Sequence, residues 1–410
     1  MRKHLSNWQQ RLGLEPYWYL ILGGLLLVTI LFINHLRTGN TPTAAAFVIP
    51  VLNLPIFWYG ICIVGGIALG GYVVSKLANE RAIALFDRYV PPTVQKQDTA
   101  VLGLSAELSL KLQQRHITTL GQLLFRWGLD PRNLGFKPAE IDTIGQALEE
   151  TPGVETSWLM AGPQNGAPWR IWNPDHVWNG LMVCLLFAVI GARLYHVLTP
   201  SPSMAAFGIE TPWDYFRNPM QLINIRAGGL GIYGGLAGGA LGLFIYTRRQ
   251  RIPTLAWADL AVVGVALGQV FGRWGNFFNQ ELYGRPTTLP WAVTISQAHR
   301  LPGYEEFSRF HPAFLYESLW NLLAFLVLYT LAKRYSARLL TGELTALYLI
   351  FYATGRILLE MVRLDSRTLN LLGLDLNMAV ATFVSLLVAL IMAAWVLARR
   401  WRQRSVIGNR

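Results

Sequence analysis

The run GRWGNFFNQELYGR (272–285) sets two guanidiniums, Arg273 and Arg285, two carboxamides, Asn276 and Asn279, and one carboxylate, Glu281, among Trp274, Phe277, Phe278 and Tyr283. It stands where an apolar stretch of membrane length ends. Ionisable groups at membrane depth are costly unless they pair or do chemistry, so such a cluster marks a functional site by default. Arginine adds a specific capability, because its planar fork of donors matches a phosphate. A second set, Tyr352, Arg356 and Glu360, is spaced by four residues, which puts all three on one face of a helix. Preplaced donors in a site of low dielectric stabilise charge that develops on a leaving phosphate. Arg273 and Arg356 are therefore the candidates for gripping a phosphate. The competing reading is that both arginines only snorkel to the interface or pair with Glu281 and Glu360.

The elements that must hold these groups are membrane helices. Apolar residues make up 53% of the chain and charged residues 14%, with a mean hydropathy of +0.34, against about 25% charged in soluble proteins. Eight apolar stretches are long enough to span: 17–35, 55–77, 177–198, 229–246, 255–274, 312–332, 342–359 and 376–398. The fold class expected is all-α, a polytopic membrane helix bundle with a small soluble helical insertion. A net charge of +12 would suggest nucleic acid in a soluble protein, but here the basic residues cluster at span ends. They precede the first span (Arg2, Lys3, Arg11), follow the second (Lys76, Arg81, Arg88), fourth (Arg248, Arg249, Arg251) and sixth (Lys333, Arg334, Arg338), and close the chain (Arg399, Arg400, Arg402, Arg404). Every second junction is basic, which predicts both termini in the cytoplasm and the 275–311 junction on the outer side. Residues 1–36 have a basic start and an apolar stretch, but the stretch is longer than a signal h-region and no small-residue cleavage site stands beside it, so they read as a retained anchor.

The organisation expected is a tail, anchor and outer linker at 1–50, a first core helix at 51–77, a cytoplasmic helical insertion with its linker at 78–175, the remaining core at 176–398, and a basic tail at 399–410. The insertion's centre has helical apolar spacing punctuated by Gly103, Gly121, Gly128 and Gly135, which predicts four or five short helices. Pro152, Pro163, Asn165, Gly166 and Pro168 predict a flexible exit. Cys62 and Cys184 sit in apolar runs, so a disulfide framework is not expected. The seven histidines show no metal-ligand spacing, and neither a P-loop nor a dinucleotide fingerprint occurs. No metal, nucleotide or other cofactor is expected. His116, His176 and His299 carry no assigned role.

Several strings together resemble the prolipoprotein diacylglyceryl transferase family. They are the 272–285 run, FWYG (57–60) with Tyr59, GARLYHV (191–197) with Arg193, the glycine-rich GGLGIYGGLAGG (228–239), HPAFLYES (311–318) with His311, and YATGRILLEMVRLD (352–365) with Arg363 beyond the triplet. The resemblance covers about 50–76 and 176–398. It implies an enzyme of the bacterial inner membrane that moves the diacylglyceryl group of phosphatidylglycerol onto the lipobox cysteine of an exported lipoprotein precursor, releasing glycerol phosphate, as the first step of lipoprotein maturation. It implies catalytic roles for Arg273, Arg356, Tyr233 and Tyr59. Substrate contacts would come from Arg273, Asn276, Glu281, Arg285, His311, Tyr352, Glu360 and Arg193. The insertion is similar to the small helical module at the C-terminus of the RNA polymerase alpha subunit. It lacks the hairpin glycine pair that grips DNA backbone, GFK standing at 135–137, so nucleic acid is not the expected partner and the module's own partner is left open.

Two departures bear on mechanism. Tyr233 stands where the family carries a histidine proposed as base for the thiol. A phenol titrates near 10 and a thiol near 8.5, so Tyr233 is expected to hydrogen-bond substrate while the arginines favour the thiolate. LDLNMAVAT (374–382) lacks the glutamine expected at the start of the last span. Against the enzyme stand a transporter, which suits interrupted glycine-rich helices but would show internal repeats, and a scaffold for an anionic lipid or partner. Metal-dependent alcohol phosphotransferases need an aspartate cluster, whereas Asp259 is isolated.

Overall fold

A computed structural model describes residues 15–51, 53–160, 166–200, 204, 208–217, 219–220, 231–364, 368–371 and 374–408, with backbone alone at 368–371, 374–380 and 406–408. In chain order the main elements are α1 (Pro16–Thr38), the hairpin β1 (Ala45–Ile49) and β2 (Leu54–Phe57), α2 (Trp58–Tyr89), and the insertion helices α3 (Ala106–Gln114), α4 (Leu120–Leu129) and α5 (Pro138–Glu149). They continue with α6 (Asp175–Leu198), α7 (Ile232–Gln250), α8 (Thr254–Gly272), α9 (Trp274–Asn279), the hairpin β3 (Val293–Thr294) and β4 (Arg309–Phe310), α10 (Ala313–Arg334), α11 (Glu343–Glu360), the hairpin β5 (Thr368–Leu371) and β6 (Leu374–Ala379), and α12 (Val380–Gly408). The chain is an all-α polytopic membrane protein. Among the described residues, six helical segments are long and apolar enough to cross a bilayer: α1, α2, α6, α8 with α9, α10 and α12. The other two expected spans form α7 and α11, of 19 and 18 residues, about 27 to 28 Å of helix at 1.5 Å per residue. Arg2, Lys3 and Arg11, the start of the fourth span with Arg226 and Gly228, linker residues Pro163 and Asn165, and Asp365 lie outside the described residues, as do the side chains of 374–380, where the glutamine was expected.

The chain forms two compact units, 1–74 with 258–410, and 75–257. In the first, α2 and α8 approach through glycines. A Cβ on Gly70 would lie 2.5 Å from the Gly264 carbonyl oxygen, and one on Gly66 2.8 Å from that of Gly268, the small-residue contact that lets membrane helices touch backbone to backbone. Asp259 accepts from the backbone N–H of Gly342 and Thr345 (2.6 and 2.8 Å) and so caps α11. Arg400 forks onto Glu343 (2.6 and 2.7 Å), tying α12 to α11. An aromatic core gathers Phe32, Trp274, Phe277, Phe278, Phe310 and Phe314.

In the second unit α6 and α7 interlock. A Cβ on Gly234 or Gly238 would fall 2.1 Å from the carbonyl oxygens of Gly191 and Phe187. The insertion is helical, as its apolar spacing predicts, with Leu112, Leu120, Leu123, Leu124, Ile144 and Leu148 buried. Two boundaries differ from expectation. The second span does not stop at Leu77, because α2 continues to Tyr89: Lys76, Glu80 and Arg81 are polar but good helix formers, and Pro91 and Pro92 follow its end. The exit expected to be flexible is packed at both described ends. Trp158 and Trp169 are buried, Trp169 donates to the Phe125 carbonyl and Arg170 to those of Gly128 and Met160.

Candidate active site

The site grows from an uninterrupted helical path. Arg273 keeps helical dihedrals (φ −65°, ψ −23°) between α8 and α9, so the guanidinium leaves a helix and not a loop. The chain then reverses on two non-glycine residues in the left-handed region, Gln280 (φ 54°) and Leu282 (φ 53°). This turn brings Glu281 back over α9. Its N–H donates to the Asn276 carbonyl (3.0 Å) and its carboxylate accepts from the side chains of Asn276 (2.9 Å) and Asn279 (3.3 Å). α9 is pinned to α10 by Trp274, whose indole donates to Ser318 Oγ (3.1 Å), which itself donates to the Val270 carbonyl.

Arg273 is not paired with Glu281. Its Nε bonds Glu317 on α10, and Arg363 Nη1 reaches the other oxygen of Glu317 at 3.9 Å. Glu317 is 7% exposed, and a buried carboxylate of this kind needs the paired, hydrogen-bonded partners that the two guanidiniums supply. Arg356 pairs with Glu360 at 3.0 Å one turn along α11, and its Nη1 is buried without a hydrogen-bond partner. Arg273 and Arg363 thus share Glu317, while Arg356 is paired with Glu360. Tyr352 lies on the same face of α11, as its spacing predicts, and is exposed.

Tyr59 joins the same cluster. Its ring covers Gly275, where a Cβ would lie 2.5 Å from Cδ2, and its phenol is within electrostatic range of Glu281 and Arg273. Beside it Trp58 stacks on Phe278 at 4.9 Å. His311 is fixed by Tyr316, whose hydroxyl is 3.0 Å from Nδ1. Burial holds its imidazole below the usual value, so at neutral pH it is uncharged and serves as a hydrogen-bonding group, not a cation. Its backbone exchanges bonds with Gly284 and Arg285, and the Arg285 N–H also reaches the Val362 carbonyl (2.8 Å). Arg285 itself is exposed. An open cleft of about 540 Å³ borders Glu281 and Asn279 and is closed opposite by Thr41, Pro42 and Thr43.

The unit therefore assembles Tyr59, Arg273, Asn276, Glu281, Arg285, His311, Tyr352, Arg356 and Glu360 from separate strings. Arg193 and Tyr233 belong to the other unit. Arg193 is buried, its guanidinium 5.6 Å from the Tyr215 ring centre. Tyr233 is 69% exposed on the first turn of α7, beside Tyr195. Sequence reasoning left Glu317 without a role, although it stands in the quoted string HPAFLYES, and treated Arg363 as an appendage. The signal available was a carboxylate in the first turns of an apolar helix. Of the unassigned histidines, His176 Nδ1 meets the Tyr246 hydroxyl (2.9 Å), and His299, whose Nδ1 meets the Ser296 hydroxyl (2.7 Å), lines the same cleft. Among the described residues, no His, Cys, Asp and Glu group could hold a metal ion.

Comparison with known proteins agrees with the strings. A profile of the prolipoprotein diacylglyceryl transferase family matches residues 153–398. The chain is 41% identical over 218 residues to the phosphatidylglycerol–prolipoprotein diacylglyceryl transferase of Chloroflexus aggregans, covering 50% of this chain and 68% of that protein. It is 46% identical over 211 residues to transferase 2 of Streptomyces coelicolor (51% and 63% covered) and 37% over 232 residues to that of Nostoc sp. (56% and 77%).

Proposed function

The chain belongs to the prolipoprotein diacylglyceryl transferase family, and from that premise we propose that it transfers the diacylglyceryl group of phosphatidylglycerol to the lipobox cysteine of lipoprotein precursors at the Arg273–Glu317–Arg363 and Arg356–Glu360 cluster. The cysteine sulfur bonds the terminal glyceryl carbon, that carbon's bond to the phosphate oxygen breaks, and glycerol phosphate leaves with the electron pair. The observation that carries this reading is the set of buried arginine–carboxylate pairs, Arg273 and Arg363 on Glu317 and Arg356 on Glu360, with a buried Arg356 donor left for a substrate oxygen.

In this mechanism Arg273 and Arg356 hold the phosphate and stabilise the charge it gains. Glu317 aims Arg273, and Asn276 and Glu281 shape the turn that closes over the headgroup. Tyr59, Tyr352, His311 and Arg285 complete the binding surface with neutral donors and one exposed cation. The same positive field favours the thiolate of the incoming cysteine, so no protein base is required. Substrate roles for Arg193 and Tyr233, which belong to the other unit, follow from the family resemblance alone. The protein lies in the bacterial inner membrane with both termini cytoplasmic and the cluster opening outward, where exported precursors arrive. A transporter or scaffold would not need a paired and partly unsatisfied arginine cluster.

The test is lipidation of a lipobox peptide by the full chain carrying Arg273→Gln or Arg356→Gln. Either substitution should abolish thioether formation with the protein still inserted. Retention of most activity in both would remove the phosphate clamp.

A further inference from the structure

An anchor needs only an apolar surface, yet α1, which lies outside the family-matched residues, has a differentiated one. Leu20, Leu22, Leu26, Leu27, Ile30 and Ile33 are exposed, while Tyr17, Ile21, Val28, Phe32 and His35 are buried. The buried face touches the back of the candidate site. Gly24 lies under Phe271, two residues before Arg273, so closely that a Cβ would stand 2.8 Å from the ring. Phe32 meets Trp274, Phe277 and Phe314 edge to face, with centroids 6.0 to 6.1 Å apart.

His35 is the polar member of this face and is 1% exposed. Its Nε2 accepts from the Thr294 N–H at 3.0 Å, and its Nδ1 is 3.2 Å from the Thr41 hydroxyl. A nitrogen that accepts from a backbone amide carries no proton, so the ring is the neutral Nδ1–H tautomer and donates to Thr41. One side chain therefore holds two segments. Thr41 lines the cleft beside Glu281. Thr294 lies in β3, paired with β4; β4 leads into His311, which is bonded to 284–285, and these in turn to Val362, beside Arg363.

We propose that α1 is a positioning element of the active site, and that His35 is the positioning residue through which it sets both the rim of the cleft and the loop carrying His311 and Arg285. His35 touches no reacting atom; it acts through Thr41 and Thr294. The inference rests on the transferase reading, and the test keeps the two apart.

Turnover per folded molecule and KM for phosphatidylglycerol are measured with a lipobox peptide for the full chain and for His35→Ala, His35→Gln and Thr41→Val. A loosened site should lower kcat about tenfold in His35→Ala, since small misplacements are expensive in catalysis, with KM within about twofold. Glutamine offers a carbonyl to Thr294 and an amide to Thr41, so His35→Gln should recover most of the loss. Thr41→Val, which keeps the ring and its bond to Thr294 but removes the hydroxyl partner on the rim, should lose about threefold, the effect of one modest hydrogen bond. A His35→Ala loss confined to the amount of folded protein, a loss that His35→Gln does not recover, or unchanged kcat in Thr41→Val overturns the proposal. If His35→Ala yields no folded protein, Thr41→Val decides alone. An unsubstituted chain that forms no thioether overturns the transferase reading and this inference with it, whereas an active chain indifferent to all three substitutions overturns this inference alone.

Discussion

Glu317 shows what a single residue decides in this site. It is a buried carboxylate facing two guanidiniums, so removing its charge while keeping its shape frees Arg273 to find another partner and leaves positive charge poorly compensated. Glu317→Gln should therefore lower kcat for lipidation about tenfold or more and also lower the melting temperature in detergent; wild-type values for both would mean that Arg273 needs no aiming. Tyr233 makes the opposite case. It is exposed on α7, and if it only hydrogen-bonds substrate, Tyr233→Phe should cost about 1 kcal/mol, roughly fivefold in rate, with a rate that follows the thiolate fraction of the peptide as pH rises. A collapse that Tyr233→His restores would identify it as the base. Arg273, Asn276, Glu281 and Arg356 were legible from sequence because such side chains are costly in apolar runs. The partner of Arg273 was not. Glu281 is nearer in sequence, but the choice of Glu317 depends on how α8 packs against α10, which no local pattern encodes.

Elements were legible in kind and less so in their ends. The apolar lengths that predict spans appear as helices, and the glycine-rich string proves to be a packing seam, with Gly234 and Gly238 against α6. Gly238→Ala should force backbone apart, lowering the melting temperature of the detergent-solubilised protein by several degrees; an unchanged melting curve would show that the seam is looser than described. The hairpins were missed because strands such as AAFVI are short apolar runs beside longer ones, and periodicity cannot separate them. The end of α2 was missed for the converse reason: charged helix formers such as Lys76, Glu80 and Arg81 let a helix leave the membrane without breaking. The packed exit of the insertion was hidden by its prolines, which are frequent in linkers but here flank tryptophans that fill the module's core.

At the scale of the whole molecule, the insertion helices belong to the same compact unit as α6 and α7, and the alternation of basic junctions is what the expected orientation rests on. A reporter active only in the periplasm, fused after Gln146, should stay silent, and strong activity there would invert the orientation. The fold of a membrane bundle could be read from composition, but the arginine–carboxylate pairs required tertiary structure, because Arg273, Glu317 and Arg363 come from the α8–α9 junction, α10 and the segment after α11. The central claim is that this arginine cluster serves transfer from an anionic lipid. The most direct measurement is mass spectrometry of a lipobox peptide incubated with the purified full chain in vesicles containing phosphatidylglycerol. The account predicts a mass gain of one diacylglyceryl group on the cysteine, with glycerol phosphate released in equal amount. An unmodified peptide, with the protein folded and the lipid bound, would contradict it.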